Sequence, residues 1–186
     1  SREWLPLFIS SRRGGYDFES LWFSGKVQFR QKKIMDCLPA PAHLFTMGGN
    51  SVACAAGLAA MDIYYSDEFQ ELLKNNIDLV AKRGAQLKEN HPNTISFVRQ
   101  LGMSMGLGVV GPDGQPDLDG TFKILFNSYQ HGLLIISVAG NVLRVQPPLN
   151  IEPELINRAF DILEASVTDY ENGAIGDDVL RYKAGW

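Results

Sequence analysis

Along residues 51–171 the apolar positions recur with periods that predict their own elements. Ala53, Ala55, Ala56, Gly57, Ala59 and Ala60 predict a slim helix over residues 52–65, approachable by another backbone, with Ser51 as its cap. From Ser66 or Asp67 a longer helix runs to about Asn90. Its apolar residues Phe69, Leu72, Leu73, Ile77, Val80 and Leu87 recur at steps of three and four, and His91-Pro92 ends it. The alternating run TISFVRQLGMSMGLGVV, residues 94–110, predicts two strand segments with a bend or bulge near Gly102. GPDGQPD is turn chemistry, and residues 118–131 predict a helix that Gly132 stops. LLIISV and VLRVQ read as two strands joined at Ala139-Gly140-Asn141, with Pro147-Pro148 stopping the second. Residues 152–171 make an amphipathic helix with Leu155, Ile156, Ala159, Ile162, Leu163 and Val167 inward, and a polar tail follows over the surface.

That order, helices then strands then helix, predicts an α+β fold: a small, mostly antiparallel sheet covered by helices. The first 33 residues stand apart. Their aromatic clusters WLPLF and LWFSGKVQF follow neither helical nor strand periodicity, Gly14-Gly15 interrupts them, and the basic RQKK closes them. Such a segment is hard to fold alone and suits an arm packed on something else.

Composition narrows the function classes. The chain has 186 residues, 45% hydrophobic and 20% charged, which suits a globular domain with its own core. A net charge of -4 offers no basic field for nucleic acid. Cys37 and Cys54 are too few for a disulfide framework and neither lies in a CxxC, which favours a reducing, cytoplasmic setting. No apolar run reaches the ~18 residues of a membrane span. The apolar stretch Trp4 to Ile9 is too short for a signal peptide and runs into Arg12-Arg13. The missing initiator methionine predicts a processed chain or a fragment.

Two stretches carry candidate chemistry. HLFTMGGNSVACAAG places Thr46, Gly48, Gly49 and Asn50 just ahead of a helix, offering a hydroxyl, pliable backbone and first-turn amides. This is either a capped turn or an anion site, and it is not a P-loop, for no GxxxxGK[ST] is present. In NVLRVQPPL, Arg144 sits mid-strand and points away from the face of Leu143 and Val145. It is a solvated arginine on an open sheet, or, in a cleft, a bidentate seat for a carboxylate. Arg99 shares that ambiguity. His43, His91 and His131 are too scattered for a metal site. Asp117, Asp119, Asp177 and Asp178 read as solvated loop or cap residues, and Cys54 as a small apolar side chain.

The strings PAPAHLFTMGGNSVACAAGLAAMDI, FVRQLGMSMGLGVV, HGLLIISVAGNVLRVQPPLNI and YENG…GW, in this order, resemble the C-terminal part of class III pyridoxal-phosphate aminotransferases. The resemblance is nearest to the 4-aminobutyrate aminotransferase-like group, which includes the isoleucine 2-epimerases, and it runs from about Lys32 to Trp186. It implies the small C-terminal domain of a fold-type I enzyme over residues 67–186. Residues 32–66 become an interdomain segment with its helix, and residues 1–31 an atypical N-terminal segment. It implies pyridoxal 5′-phosphate as cofactor, an amino-acid substrate and a homodimer. Thr46, in the place of the threonine of the T-x-x-G-N-P motif, would reach the cofactor phosphate across the dimer. Arg144, before the double proline, would receive the substrate carboxylate.

Two departures accompany the resemblance. Ser51 stands where the family has proline. The family's Schiff-base lysine would fall near Asp17, where ESLWFSG carries Glu19; Lys26, Lys32 and Lys33 do not align with it. The cofactor domain's aspartate and stacking aromatic are missing too, so no catalytic residue is assigned and the chain alone is expected to be inactive. The alternatives are a stand-alone α+β interaction module, or a subunit that completes a separately encoded large domain.

Overall fold

A computed structural model describes the backbone of residues 18–23 and 26–31, and residues 49–183 in full. The chain divides into two compact units, Ser1–Asp67 and Glu68–Trp186.

In the first unit, β1 (Phe18–Phe23) and β2 (Lys26–Gln31) pair antiparallel, with Trp22 opposite Val27 and Phe23 opposite Lys26. The segment that showed no helical or strand periodicity thus holds two paired strands. Aromatic and β-branched residues favour strands even without alternation. The unit also contains α1 (Ser51–Tyr64), in which no residue is buried.

The second unit holds the core. Its elements are α2 (Asp67–Asn90), β3 (Ile95–Leu101), β4 (Ser104–Val109), α3 (Leu118–Gln130), β5 (Ile136–Val138), β6 (Val142–Val145) and α4 (Pro153–Glu171). A short 3-10 helix, Asp177–Tyr182, follows. The sheet runs β3-β4-β6-β5, antiparallel throughout. Alternation sends Met105, Leu107 and Val109 of β4 and Leu143 of β6 to one face, where they meet Val80 and Leu87 of α2, Ile124 of α3 and Phe160 and Leu163 of α4. Full burial of an aliphatic side chain there stabilises by about 1.5–3 kcal/mol. Gly84 lets α2 approach the sheet closely, for a Cβ at that position would stand 2.4 Å from the Met105 side chain.

Local chemistry fixes the ends of the helices. The bend expected near Gly102 is a tight hairpin between β3 and β4, and the register irregularity lies instead between Ile95 and Phe97. The carboxylate of Glu171, at the end of α4, meets His91 Nδ1 at 2.8 Å and accepts from Thr94 Oγ1 at 2.6 Å, tying α4 to the stop of α2. On α4, Leu155 is exposed where burial was expected, and Phe160 fills the core instead. The tail does lie on the surface: Tyr182 stacks on Phe126 of α3, Asp177 pairs with Lys123 at 2.6 Å, and Lys183 with Asp119 at 2.7 Å.

Candidate functional site

The face of the sheet turned away from the helices carries the candidate chemistry. In the antiparallel register Arg99 of β3 and Arg144 of β6 both pair with Gly106 of β4, and Ile136 of β5 completes the row. Directly paired residues project to the same face, so the two arginines flank a glycine on one surface. Leu143, one residue from Arg144, is fully buried on the other face. A groove of about 370 Å³ runs along this surface, lined by Arg99, Gln100, Leu101, Ser104, Met105, Gly106, Val138 and Arg144.

Each arginine has a different neighbour. An Arg144 Nη2–H donates to Gln146 Oε1, two residues along the chain. The Arg99 guanidinium lies 4.5 Å from the centre of the Phe97 ring, a cation–π arrangement. Phe97 in turn occupies the space over Gly108, where a Cβ would stand 2.2 Å from the ring. Gly106 is open by contrast: a Cβ there would meet only Val142 Cγ1, at 3.2 Å. Among the described residues, neither arginine forms an ion pair, and the groove contains no carboxylate and no lysine. The arrangement can receive an anion.

The other candidates fare differently. Thr46, His43 and Cys37 lie outside the described residues. At the start of α1, Gly49 takes a left-handed backbone (φ 79) and Asn50, not Ser51, is the cap. Asn50 Oδ1 accepts from Val52 N at 3.1 Å and Ala53 N at 3.2 Å, so these first-turn amides are already occupied. Ser51 becomes the first helical residue, a position where proline is equally compatible, and the turn keeps its shape without it. Cys54 is half-buried. Asp117 is more than a solvated turn. Its Oδ1 accepts from Gly120 N at 2.7 Å, capping α3, while its Oδ2 accepts from the Tyr170 hydroxyl. Burial, then that hydrogen bond, pushes the Tyr170 hydroxyl well above the usual tyrosine pKa. Asp119 and Asp177 are ion-paired to Lys183 and Lys123. His131 contacts the Asn127 carbonyl at the end of α3, and no cluster among the described residues could hold a metal.

Sequence reasoning singled out both arginines but not what joins them. Gly106, Phe97 and Gln146 went unnoticed, because their roles depend on which strand lies beside which. The alternating glycines of SMGLGV were the available signal.

Known proteins resemble this chain in sequence and in shape. The sequence pattern of the family described as aminotransferase class-III matches residues 22–167. Isoleucine 2-epimerase of Lentilactobacillus buchneri is 35% identical over 158 residues, covering 84% of this chain and 35% of that protein. Leucine/methionine racemase of Thermococcus litoralis is 36% identical over 159 residues, covering 83% of this chain and 35% of that one. Among solved structures, an S-selective transaminase from Bacillus megaterium shares the fold with a TM-score of 0.68 at 22% identity, over 80% of this chain and 35% of that chain. Acetylornithine aminotransferase from Elizabethkingia anophelis superposes with a TM-score of 0.63 at 26% identity, over 76% of this chain and 36% of its own. The chain thus spans about a third of the relatives' length, and its four-stranded sheet with helices corresponds to one domain of theirs. With the family pattern running through both the α1 turn and the arginine strand, the chain belongs to the class-III aminotransferase family.

Proposed function

We propose that this chain is the C-terminal part of a pyridoxal-phosphate enzyme, cytoplasmic and dimeric in its complete form. The complete enzyme transfers an amino group from an amino acid to a 2-oxo acid, or inverts an amino acid at its α-carbon. The observation that carries this reading is Arg144, an exposed guanidinium with no ion pair among the described residues, beside an open glycine on the sheet face turned away from α2, α3 and α4. Its planar fork suits a carboxylate bidentately. Arg144 therefore binds and orients the substrate carboxylate.

The cofactor, when bound, supplies the electron sink that both reactions require. The described residues do not make its seat: the Val52 and Ala53 amides are taken by Asn50, and no lysine lines the groove. By family resemblance Thr46 contacts the phosphate from across the dimer, and no chemical step is assigned to this chain's residues. The test is complementation. Co-expressed with a separately encoded cofactor domain of a relative, the chain should restore turnover; alone, with pyridoxal phosphate and an amino donor, it should show none. Arg144→Ala in the complemented enzyme should lower kcat/KM by about 30-fold or more, as loss of a desolvated carboxylate contact does. Full activity in that variant would remove Arg144 from the substrate site.

A specific feature favours a second reading, an interaction module. α1 buries none of its residues, and Val52, Ile63 and Tyr65 are all more than half exposed. Apolar surface of this kind drives association. Light scattering on the eluting chain decides it, because a stable monomer would count against the module.

A further inference from the structure

We propose that Asn172 is a site of spontaneous deamidation, gated by the helix end that contains it, and that its products release the C-terminal segment from α3. Asn172-Gly173 is the only Asn-Gly pair in the sequence. A glycine after asparagine leaves its backbone nitrogen without a side chain to shield it, and both residues are exposed at the end of α4.

The reaction is intramolecular. The Gly173 nitrogen loses its proton to solvent base and attacks Asn172 Cγ. A C–N bond forms there, the Cγ–Nδ2 bond breaks, and the side-chain nitrogen leaves as ammonia. Water then opens the cyclic imide at either carbonyl. One opening gives aspartate. The other gives isoaspartate, in which the main chain runs through Cγ and gains a carbon. No electrons are exchanged, and water is the only co-reactant.

The folded helix end holds this chemistry back. The Gly173 N–H donates to the Tyr170 carbonyl at 3.0 Å and the Ala174 N–H to the Asp169 carbonyl at 2.9 Å. With Gly173 at φ 68, these two bonds make a left-handed helix end that glycine closes without strain. The attacking nitrogen is therefore occupied. Asn172 also has φ -81 and ψ 0. Ring closure needs Cβ and the Gly173 nitrogen nearly eclipsed about the Cα–C bond, and at that ψ they are rotated well apart. Reaction thus proceeds from the opened end, at a rate set by how often that end frays.

The neighbours of the site give the modification its consequence. Just before it, Tyr170 donates to Asp117, and Glu171 holds the buried His91 and Thr94. Just after it, the chain is fastened to α3 at the surface, by Asp177 on Lys123, Tyr182 on Phe126 and Lys183 on Asp119. Either product adds a carboxylate beside Glu171, at the negative end of the helix dipole. Isoaspartate also lengthens the chain across the cap, so the bond between Ala174 and Asp169 no longer fits. The surface anchors yield before the buried ones, and the change runs one way because ammonia is lost.

The 186-residue chain is incubated at mildly alkaline pH, native and in guanidinium chloride. Samples are digested at intervals for peptide mass spectrometry, with isoaspartate detected by enzymatic methylation. Asn172 should convert in both, about tenfold more slowly in the native chain, the scale of a fraying helix end. The contact between the Phe126 and Tyr182 rings, read by NMR, should vanish in the isoaspartate fraction and persist in unmodified chain. Equal rates, or a native chain still unconverted when the denatured sample is complete, would overturn the gated reaction. An isoaspartate fraction that keeps the ring contact would overturn the release.

Discussion

The two faces of the four-stranded sheet are built from the same strands, yet they follow opposite rules. On the helix-covered face, Met105, Leu107 and Leu143 are sealed and interchangeable in kind: any apolar side chain of similar volume would serve. On the open face, Arg99, Gly106 and Arg144 make one row, a glycine between two cations. A single period-two alternation along β4 and β6 serves both. The contrast teaches that glycine has two uses in one strand. Gly108 receives a ring and Gly106 leaves a space, and the sheet gains a platform and a slot only two residues apart.

Substitutions on the two faces should therefore fail in different ways. The largest effect belongs to the covered face. Leu107→Ala, at a fully buried site, should cost about 2–5 kcal/mol in urea unfolding, with anion binding lost only as the fold is lost. Gly108→Ala comes next and couples the faces. Its new Cβ must displace the Phe97 ring, costing about 1–3 kcal/mol and removing the platform beneath Arg99. If the Arg99 Nε–H resonance were unmoved by that change, the ring would not be what positions Arg99. Ala139 holds a left-handed backbone (φ 52) in the β5–β6 turn. Ala139→Gly should raise stability by up to about 1 kcal/mol without touching the groove.

The smallest effect lies beyond both faces. Lys123 holds the Asp177 carboxyl below its ordinary pKa of 3.8, chiefly by a hydrogen bond and then by its charge. With the folded pKa lowered, the linked stabilisation is present above the unfolded value and fades as pH falls through the folded one. In Lys123→Ala the Asp177 titration, followed by carbon NMR, should move back up toward 3.8 while the groove is unchanged.

Much of this fold was legible in periodicity. The long helix from Asp67, the two alternating strands of residues 94–110 and the closing helix from Pro153 all declare one buried face in sequence. Three features were not legible. The strand pair of residues 18–23 and 26–31 has strand-forming residues without alternation, so a rule based on alternation misses it. Leu155 and Phe160 trade places because a helix face is decided by what packs against it, and only the fold supplies that partner. The cap fell on Asn50 rather than Ser51 because either side chain can accept a first-turn amide, and backbone angles choose between them.

The site shows the same divide. Each arginine was visible as a charged residue in an apolar strand, but their relation was not. Arg99 and Arg144 are 45 positions apart in the numbering and both pair with Gly106. Pairing of β4 with both flanking strands creates that relation, and no local spacing encodes it.

Ser51, the first residue of α1, has a consequence that concerns the unfolded chain. Its N–H opens the helix, where an intrahelical partner is lacking in any case, and Asn50 before it already has the extended backbone (φ -52, ψ 125) that a following proline requires. The native turn would therefore accept proline without rearrangement. With serine, the same turn must be selected from a wider population of unfolded conformers, which forgoes about 0.4–1 kcal/mol of stability. The start of α1 should accordingly open more readily than its middle, and Ser51→Pro should slow amide exchange there.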